Sequence, residues 1–233
     1  MNSSELDKIK DAVISLLKEK GISISESGSK QAETDCQDRS PFKMDPMLIP
    51  VAITDRTVYL SKKDKETCFG GTVLTKDDAL SKGSRVIYKE TVTVCGPDGD
   101  MEDVRVSDAS ENQSRVELIS GDDLSLGIKA PLRLSSDTKC SPGLRIAGPS
   151  GSVELEEGAI IPLRKITLDP PHAEHYGLRT GQVVSVEVSG SRGGVFTNVA
   201  VVVEEHLDSL CWLDVSEAKS MCISDNAMVK IVK

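Results

Sequence analysis

Two short segments combine strand spacing with side chains that could do chemistry. Residues 55–61 read Asp-Arg-Thr-Val-Tyr-Leu-Ser, and residues 164–170 read Arg-Lys-Ile-Thr-Leu-Asp-Pro. In a β-strand, residues at i and i+2 point to the same face, so each segment presents two polar side chains together. The four positions are Thr57, Tyr59, Lys165 and Thr167.

The side chains at these positions do not suit a metal ion. Proteins hold zinc with imidazole, thiolate and carboxylate ligands. The neutral hydroxyls of Thr57 and Tyr59 are poor zinc ligands at pH 7, and a protonated amine such as that of Lys165 repels a cation. We therefore expect no metal at this pair of segments.

Other residues leave a rebuilt metal site open as an alternative. His172 and His175 stand at i and i+3 just after the second segment, with carboxylates nearby, while His206 has no partner in sequence. Helical spacing would let the first two share a metal, although surface histidines on a turn are the commoner case. Cys211 could offer a thiolate, but a buried cysteine is also commoner.

Composition and charge exclude several classes of partner. The chain has 233 residues and a formal net charge of −9, which argues against nucleic acid or an anionic membrane. The sequence has neither an apolar run near the roughly 20 residues that span a bilayer nor a recognisable signal peptide. Its six cysteines show no C-x-x-C spacing, which favours reduced thiols in the cytoplasm.

The N-terminal region differs from the rest of the chain. Its aliphatic residues recur at helical spacing, and they are Leu6, Ile9, Val13, Leu16 and Leu17. We expect residues 1–20 to form an amphipathic docking helix and the polar residues 21–45 to form a flexible linker. The alternative is a helix that folds back on its own domain.

After residue 46 the pattern changes to short aliphatic strands separated by turn signals, which predicts an all-β fold. Residues 95–100 and 147–152 are near copies of one hairpin turn, Cys-Gly-Pro-Asp-Gly-Asp and Ala-Gly-Pro-Ser-Gly-Ser. We expect the second glycine of each, Gly99 or Gly151, to supply a positive φ. The repeat predicts two similar β units.

Several segments are similar to one enzyme family. Residues 126–135, Leu-Gly-Ile-Lys-Ala-Pro-Leu-Arg-Leu-Ser, are close to its Leu-Gly-Ile-x-Ala-Pro-Leu-Arg-x-Ser, and residues 55–61 and 164–170 resemble its two metal motifs, roughly Arg-His-x-His-[Leu/Met]-Ser. The family is the propanediol-utilisation type phosphate propanoyltransferases, the phosphotransacylases of bacterial microcompartments. In that family an acyl group passes between coenzyme A and phosphate.

The resemblance implies an all-β fold of two similar small β barrels, one inserted in the other, with short helices. Residues 46–62 plus 155–233 would form the first barrel, and residues 63–154 would form the second. Coenzyme A and two zinc ions would lie near the junction of the barrels in the family.

The resemblance also implies that the family's site residues are missing here. Its four motif histidines fall at Thr57, Tyr59, Lys165 and Thr167, and its further C-terminal histidine falls at Trp212. Its carboxylate ligand falls at or next to Lys89 and Glu90, and its phosphate-binding arginine falls at Glu111, which reverses the charge. We therefore expect neither zinc nor another cofactor to be required.

Coenzyme A binding could survive this loss. Arg133 and Arg145 lie in retained family segments and could contact its phosphates, or they could form surface salt bridges. The glycine-rich residues 191–194 could accept an anion, although such turns usually bind nothing.

Two functions follow from these observations. The first is a degenerate family member that acts as a structural, regulatory or coenzyme A-binding component inside a bacterial microcompartment, in the cytoplasm. It would contact shell or cargo proteins through residues 1–20 and could pair with an active paralogue. The second is an active phosphate acyltransferase with a rebuilt site.

Replacing Ile9 and Val13 with aspartate tests the docking helix. The change places two charges on the apolar stripe, where each buried aliphatic side chain would contribute about 1.5–3 kcal/mol. Co-assembly with microcompartment proteins, measured by co-purification, should be lost while the thermal unfolding midpoint of the β units stays the same. A lowered midpoint would instead make the helix part of the core.

Overall fold

The computed structural model describes residues 48–83, 85–108, 113–135 and 137–233. The predicted docking helix and linker, and also Glu111, lie outside these residues. The described part is built mainly from strands with a few short helices, so the predicted all-β class is confirmed. Within it, no helix is both long and apolar enough to cross a bilayer.

The strands fall into two groups by hydrogen bonding. Six form one closed barrel in the order β1, β13, β10, β12, β11, β14. These are β1 (Leu48–Thr54), β10 (Lys165–Leu168), β11 (Val183–Val188), β12 (Gly194–Val203), β13 (Leu210–Asp214) and β14 (Met228–Val232). Aliphatic residues of alternate strand positions fill the barrel, among them Ile49, Val51, Ile166, Val186 and Ile231.

The other eight strands form a second sheet in the order β6, β9, β5, β2, β4, β3, β7, β8. They are β2 (Thr57–Leu60), β3 (Ile87–Cys95), β4 (Asp100–Asp108), β5 (Arg115–Glu117), β6 (Leu132–Arg133), β7 (Arg145–Ala147), β8 (Ser152–Glu154) and β9 (Ala159–Pro162). This sheet has a hydrophobic core of its own, which includes Val58, Leu60, Val94, Val106 and Ile146.

The boundary between the two groups differs from the predicted one. Residues 46–62 and 155–162 were expected in the first barrel, but the hydrogen bonds place β2 and β9 in the eight-stranded sheet. Only two residues separate β1 from β2, so the chain changes sheet between Thr54 and Thr57. The two motifs resemble each other in sequence, but the first lies in the eight-stranded sheet and the second lies in the closed barrel.

The two sheets repeat one pairing scheme, as the similar hairpins suggested. Strand β2 pairs in parallel with β4 and antiparallel with β5. Strand β10 pairs in parallel with β12 and antiparallel with β13 in the same way. The registers match as well, since Thr57 lies opposite Glu117 and Lys165 lies opposite Trp212.

In the described part of the chain, four short helices accompany the strands: α1 (Lys62–Phe69), α2 (Asp122–Leu126), α3 (Pro170–Tyr176) and α4 (Val215–Ser220). Each motif strand runs directly into one of them. Ser61 caps α1 by accepting from the Asp64 amide, and Asp169 caps α3 by accepting from the His172 amide. Both helices end at a glycine in the left-handed region, Gly70 or Gly177.

The repeated hairpin turns need their glycines for close approach. Neither Gly99 nor Gly151 has a positive φ, so that prediction was wrong. A Cβ on Gly96 would lie 2.2 Å from the carbonyl oxygen of Leu126 in α2, and one on Gly148 would lie 2.4 Å from that of Cys68 in α1. Each turn is therefore seated against the C-terminal part of a helix.

Gly148→Ala should destabilise the protein by about 1–3 kcal/mol, because the new methyl must displace backbone atoms and not a flexible side chain. Gly194→Ala is the matched control, since its closest neighbour is the Met221 methyl at 3.0 Å, the end of a flexible side chain. Urea unfolding of both variants measures the difference. Equal losses would contradict the close-approach explanation.

Candidate functional site

The two motif strands meet at one cavity of about 730 Å³. Side chains from the barrel and from the eight-stranded sheet line it together. The motif residues Tyr59, Lys165 and Thr167 are in the lining, as is Trp212. Thr57 is buried beside them and is joined to the lining through Arg85. The structure thus brings residues of both segments to one polar cavity.

Arg85 holds the first motif. It lies two residues before β3 and donates from Nε to the Tyr59 hydroxyl at 2.7 Å and from Nη2 to Thr57 Oγ1 at 2.5 Å. Burial raises the pKa of Tyr59 to about 12, and the charge of Glu117 adds to this effect. Tyr59 is therefore a neutral phenol at physiological pH.

Strand β5 contributes a guanidinium and a carboxylate to the same place. Arg115 donates from Nε to Glu117 Oε1 at 3.1 Å, and both side chains are largely buried. The Arg115 guanidinium also stacks on the Tyr59 ring, 3.8 Å from its centroid. The Tyr59 ring is thus held between two arginines.

The second motif is bonded within the barrel and to one residue of the sheet. Thr167 donates to the Asp208 carbonyl at 2.7 Å and accepts from the Trp212 indole at 2.9 Å. Lys165 donates to Ser135 Oγ at 3.1 Å. Burial lowers the pKa of Lys165, and the nearby charges of Arg115 and Arg85 lower it further, against an opposing effect of Glu117 and Glu204.

These residues do not fit the family's zinc ions. A zinc site needs neutral imidazole, thiolate or carboxylate donors with free lone pairs. Here the side chains are hydroxyls that already accept from Arg85 or Trp212, an amine and an indole N–H, and the indole has no lone pair to offer. In the described parts of the chain, no three His, Cys, Asp or Glu side chains lie close enough to share a metal.

The alternative ligands lie apart from this cavity. His172 contacts Asp169 through Nδ1, and His172 and His175 both stand on the exposed side of α3. His206 is exposed in a turn. Cys211 points into the barrel core, where burial raises its thiol pKa to about 12. The described residues therefore do not assemble these groups into a rebuilt metal site.

The carboxylate of the site differs from the predicted one. Glu90 is partly exposed and accepts from the Thr75 amide, away from the motifs. Glu117 lies opposite Thr57 and lines the cavity instead. The Arg-x-Glu spacing of residues 115–117, which puts both side chains on one strand face, was the available signal.

Arg85 was not predicted, and its sequence surroundings carry no motif. It precedes a strand in a loop, and only the fold brings it to Thr57 and Tyr59.

The predicted coenzyme A residues lie elsewhere on the surface. Arg133 donates to Asp137 at 3.0 Å and to the Lys139 carbonyl, while Arg145 faces Glu154 at 3.8 Å. These contacts are surface salt bridges, which is the alternative that the sequence left open for both arginines.

The arginine at the start of each motif has a structural partner. Arg56 forms two bonds with Asp122 at the start of α2, and Arg164 pairs with Glu217 in α4. Each fastens a motif strand to the helix that follows β5 or β13, so neither is a free cation.

Known proteins are similar over most of the chain. A family model described as phosphate propanoyltransferase matches residues 50–224. A phosphate propanoyltransferase of Rhodobacter capsulatus is 38% identical over 203 residues, which cover 87% of this chain and 94% of the relative. Those of Thermotoga maritima and Salmonella typhimurium are 36% and 34% identical, and cover 82% and 74% of this chain and 92% and 82% of the relatives. The resemblance read from the motifs is confirmed.

Lys165→Met should stabilise the protein by about 1 kcal/mol at pH 7, because it removes a buried ammonium group placed near two arginines. The lowered pKa means that, between that pKa and 10.5, the unfolded chain binds more protons than the folded one. Wild-type stability should therefore rise with pH in this window, and the advantage of the variant should shrink.

Chemical unfolding between pH 7 and 10 measures this difference, with exposed Lys230→Met in β14 as the control. A destabilised Lys165→Met protein would show instead that the ammonium group is needed to neutralise Glu117.

Proposed function

The chain belongs to the phosphate propanoyltransferase family of acyltransferases, and on that premise we propose that it is a member without zinc-dependent acyl transfer. It serves as a structural, regulatory or coenzyme A-binding component of a bacterial microcompartment in the cytoplasm. Residues 1–20 dock it to shell or cargo proteins, and an active paralogue is a further candidate partner.

The observation that carries the proposal is the bonding at the five positions where the resemblance implies histidines in the family. Thr57 is bonded to Arg85, Tyr59 lies between Arg85 and Arg115, and Thr167 is bonded to Trp212. Lys165 brings a positive charge to the place where a dication would have to sit. Acyl transfer assisted by zinc requires open metal positions next to the substrate, and this bonding offers none.

The reversed charge at the phosphate position supports the same conclusion. Where the resemblance implies an arginine for phosphate, the chain has Glu111. A carboxylate repels phosphate and cannot replace the two parallel N–H bonds of a guanidinium. The positions that the resemblance implies for the zinc ligands and for the phosphate-binding arginine are thus changed together.

An active enzyme with a rebuilt site remains the competing function. It predicts ligands recruited from other parts of the chain, and the candidates were His172, His175 and Cys211. Their positions, on the outside of α3 and inside the barrel core, favour the first function.

Metal analysis and an acyl-phosphate assay test the proposal. Purified protein should carry less than one zinc per chain and should form no acyl phosphate from acyl-CoA and phosphate. A family member with all histidines in both motifs, purified in the same way, is the positive control. A chelator should leave the thermal unfolding midpoint of this chain unchanged and should lower the activity of the control.

Two tightly bound zinc ions, or turnover at ordinary enzyme rates, would overturn the proposal in favour of the rebuilt site. A midpoint that falls with chelator would identify a structural metal.

A further inference from the structure

A hydroxyl and an amine are bonded to each other in the wall of the cavity. Lys165 Nζ lies 3.1 Å from Ser135 Oγ, and both side chains are in the lining. Glu117 is paired with Arg115, and no carboxylate oxygen of the described residues lies within 4.0 Å of Lys165 Nζ. The amine of Lys165 is therefore directed to a hydroxyl and not to a carboxylate.

Strand pairing explains how these two residues meet. Strand β6 lies parallel to β9 with Arg133 opposite Pro162, and the Leu163 amide donates to the Arg133 carbonyl at 2.8 Å. Ser135 follows β6, and Lys165 begins β10 shortly after β9, so both residues leave the same end of this strand pair. Backbone hydrogen bonds thus position the hydroxyl and the amine side by side.

Burial makes the neutral amine of Lys165 more accessible than that of an exposed lysine. It lowers the pKa of the amine, and the charges of Arg115 and Arg85 lower it further. Glu117 and Glu204 act in the opposite direction. A buried lysine with a lowered pKa can serve as a general base. A base within hydrogen-bond distance of a serine hydroxyl is the arrangement that activates the serine as a nucleophile.

The charged groups around the pair suit the charges that such a reaction creates. Glu117 and Glu204 would stabilise the ammonium that forms when Lys165 takes a proton. Arg115 and Arg85 line the same cavity, and their charges act on Lys165. Fixed positive charge stabilises the oxyanion that forms when a nucleophile attacks a carbonyl carbon.

We propose that Ser135 and Lys165 form a catalytic dyad that hydrolyses short-chain acyl esters without a metal ion. This activity goes beyond the proposed function. It rests on that function only in that no zinc ion occupies the place of the Lys165 amine.

The lining beside the dyad sets the class of substrate. Leu134 directly precedes Ser135, and it lines the cavity together with Leu207 and Trp212. These apolar walls suit a short, uncharged acyl chain. The cavity of about 730 Å³ also leaves room for the alcohol part of the ester.

The reaction has two balanced steps. In the first, the neutral amine of Lys165 takes the hydroxyl proton of Ser135 as Oγ bonds to the acyl carbon. The ester C–O bond then breaks, and the alcohol leaves with the proton from Lys165. In the second, water gives a proton to Lys165 and bonds to the acyl carbon, the C–Oγ bond breaks, and Oγ regains the proton. The products are the carboxylic acid and the alcohol.

A chromogenic ester and a covalent probe test the dyad on the full-length protein in buffer that contains a chelator. Release of p-nitrophenol from p-nitrophenyl acetate measures hydrolysis. A fluorophosphonate probe forms a bond to an activated serine oxygen with loss of fluoride, and peptide mass spectrometry identifies the labelled residue. We expect turnover above the uncatalysed rate and labelling at Ser135. Because labelling is mapped on the wild-type protein, this result does not depend on the folding of a variant.

Ser135→Ala should abolish labelling and lower kcat/KM about a hundredfold or more. Lys165→Arg should have a similar effect, because a guanidinium keeps the charge and the donors but stays protonated. A merely structural bond to Ser135 would instead survive this change. Ser107→Ala is the matched control, since Ser107 lines the same cavity but donates to the Val86 carbonyl at 2.6 Å, and it should keep both activities. Unfolding midpoints establish that each variant is folded.

The outcomes separate this inference from the proposed function. Absence of turnover and of labelling, turnover unchanged in Ser135→Ala, or labelling of Lys165 in place of Ser135 would each overturn the dyad. None of these results would alter the absence of zinc and of acyl transfer to phosphate. Hydrolysis that a chelator abolishes would overturn both.

Discussion

The rest of the structure depends on how two four-residue strands, β2 and β10, each pair with their own neighbours. Each lies inside its sheet with a parallel neighbour on one side and an antiparallel neighbour on the other. The aliphatic residues of β2 and β10 are buried in the two cores. The residues that alternate with them along each strand must therefore face the opposite side of the sheet. That alternation brings Tyr59, Lys165 and Thr167 to a common cavity. A shift of one residue in either strand would turn the polar side chains into the hydrophobic cores and the aliphatic side chains toward the cavity.

The scaffold is stabilised by contacts that lie outside the cavity. The capped helices, the close-packed hairpin turns and the arginines that fasten the motif strands all serve the fold. None of them depends on which side chains face the cavity. The chain is 38% identical to a phosphate propanoyltransferase over 203 residues, and such contacts can be shared whichever side chains face the cavity.

Electrostatics links the side chains that line the cavity. Arg85, Arg115 and Lys165 bring positive charge into it, and Glu117 and Glu204 bring negative charge. Burial lowers the pKa of Lys165, and the two neighbouring arginines lower it further, while the two carboxylates oppose this effect.

The sequence by itself determined the all-β class, because alternation of aliphatic residues and turn glycines are local signals. It also determined the family, through motif segments that resemble it. It also identified Thr57, Tyr59, Lys165, Thr167 and Trp212 as the positions to inspect. Tertiary structure alone decided that β2 belongs to the eight-stranded sheet, since a two-residue connection carries no sign of which sheet follows. It also brought Arg85 to the first motif and put Glu117, not Glu90, opposite Thr57. Contacts between residues far apart in the chain arise from strand order and register, which no local pattern encodes.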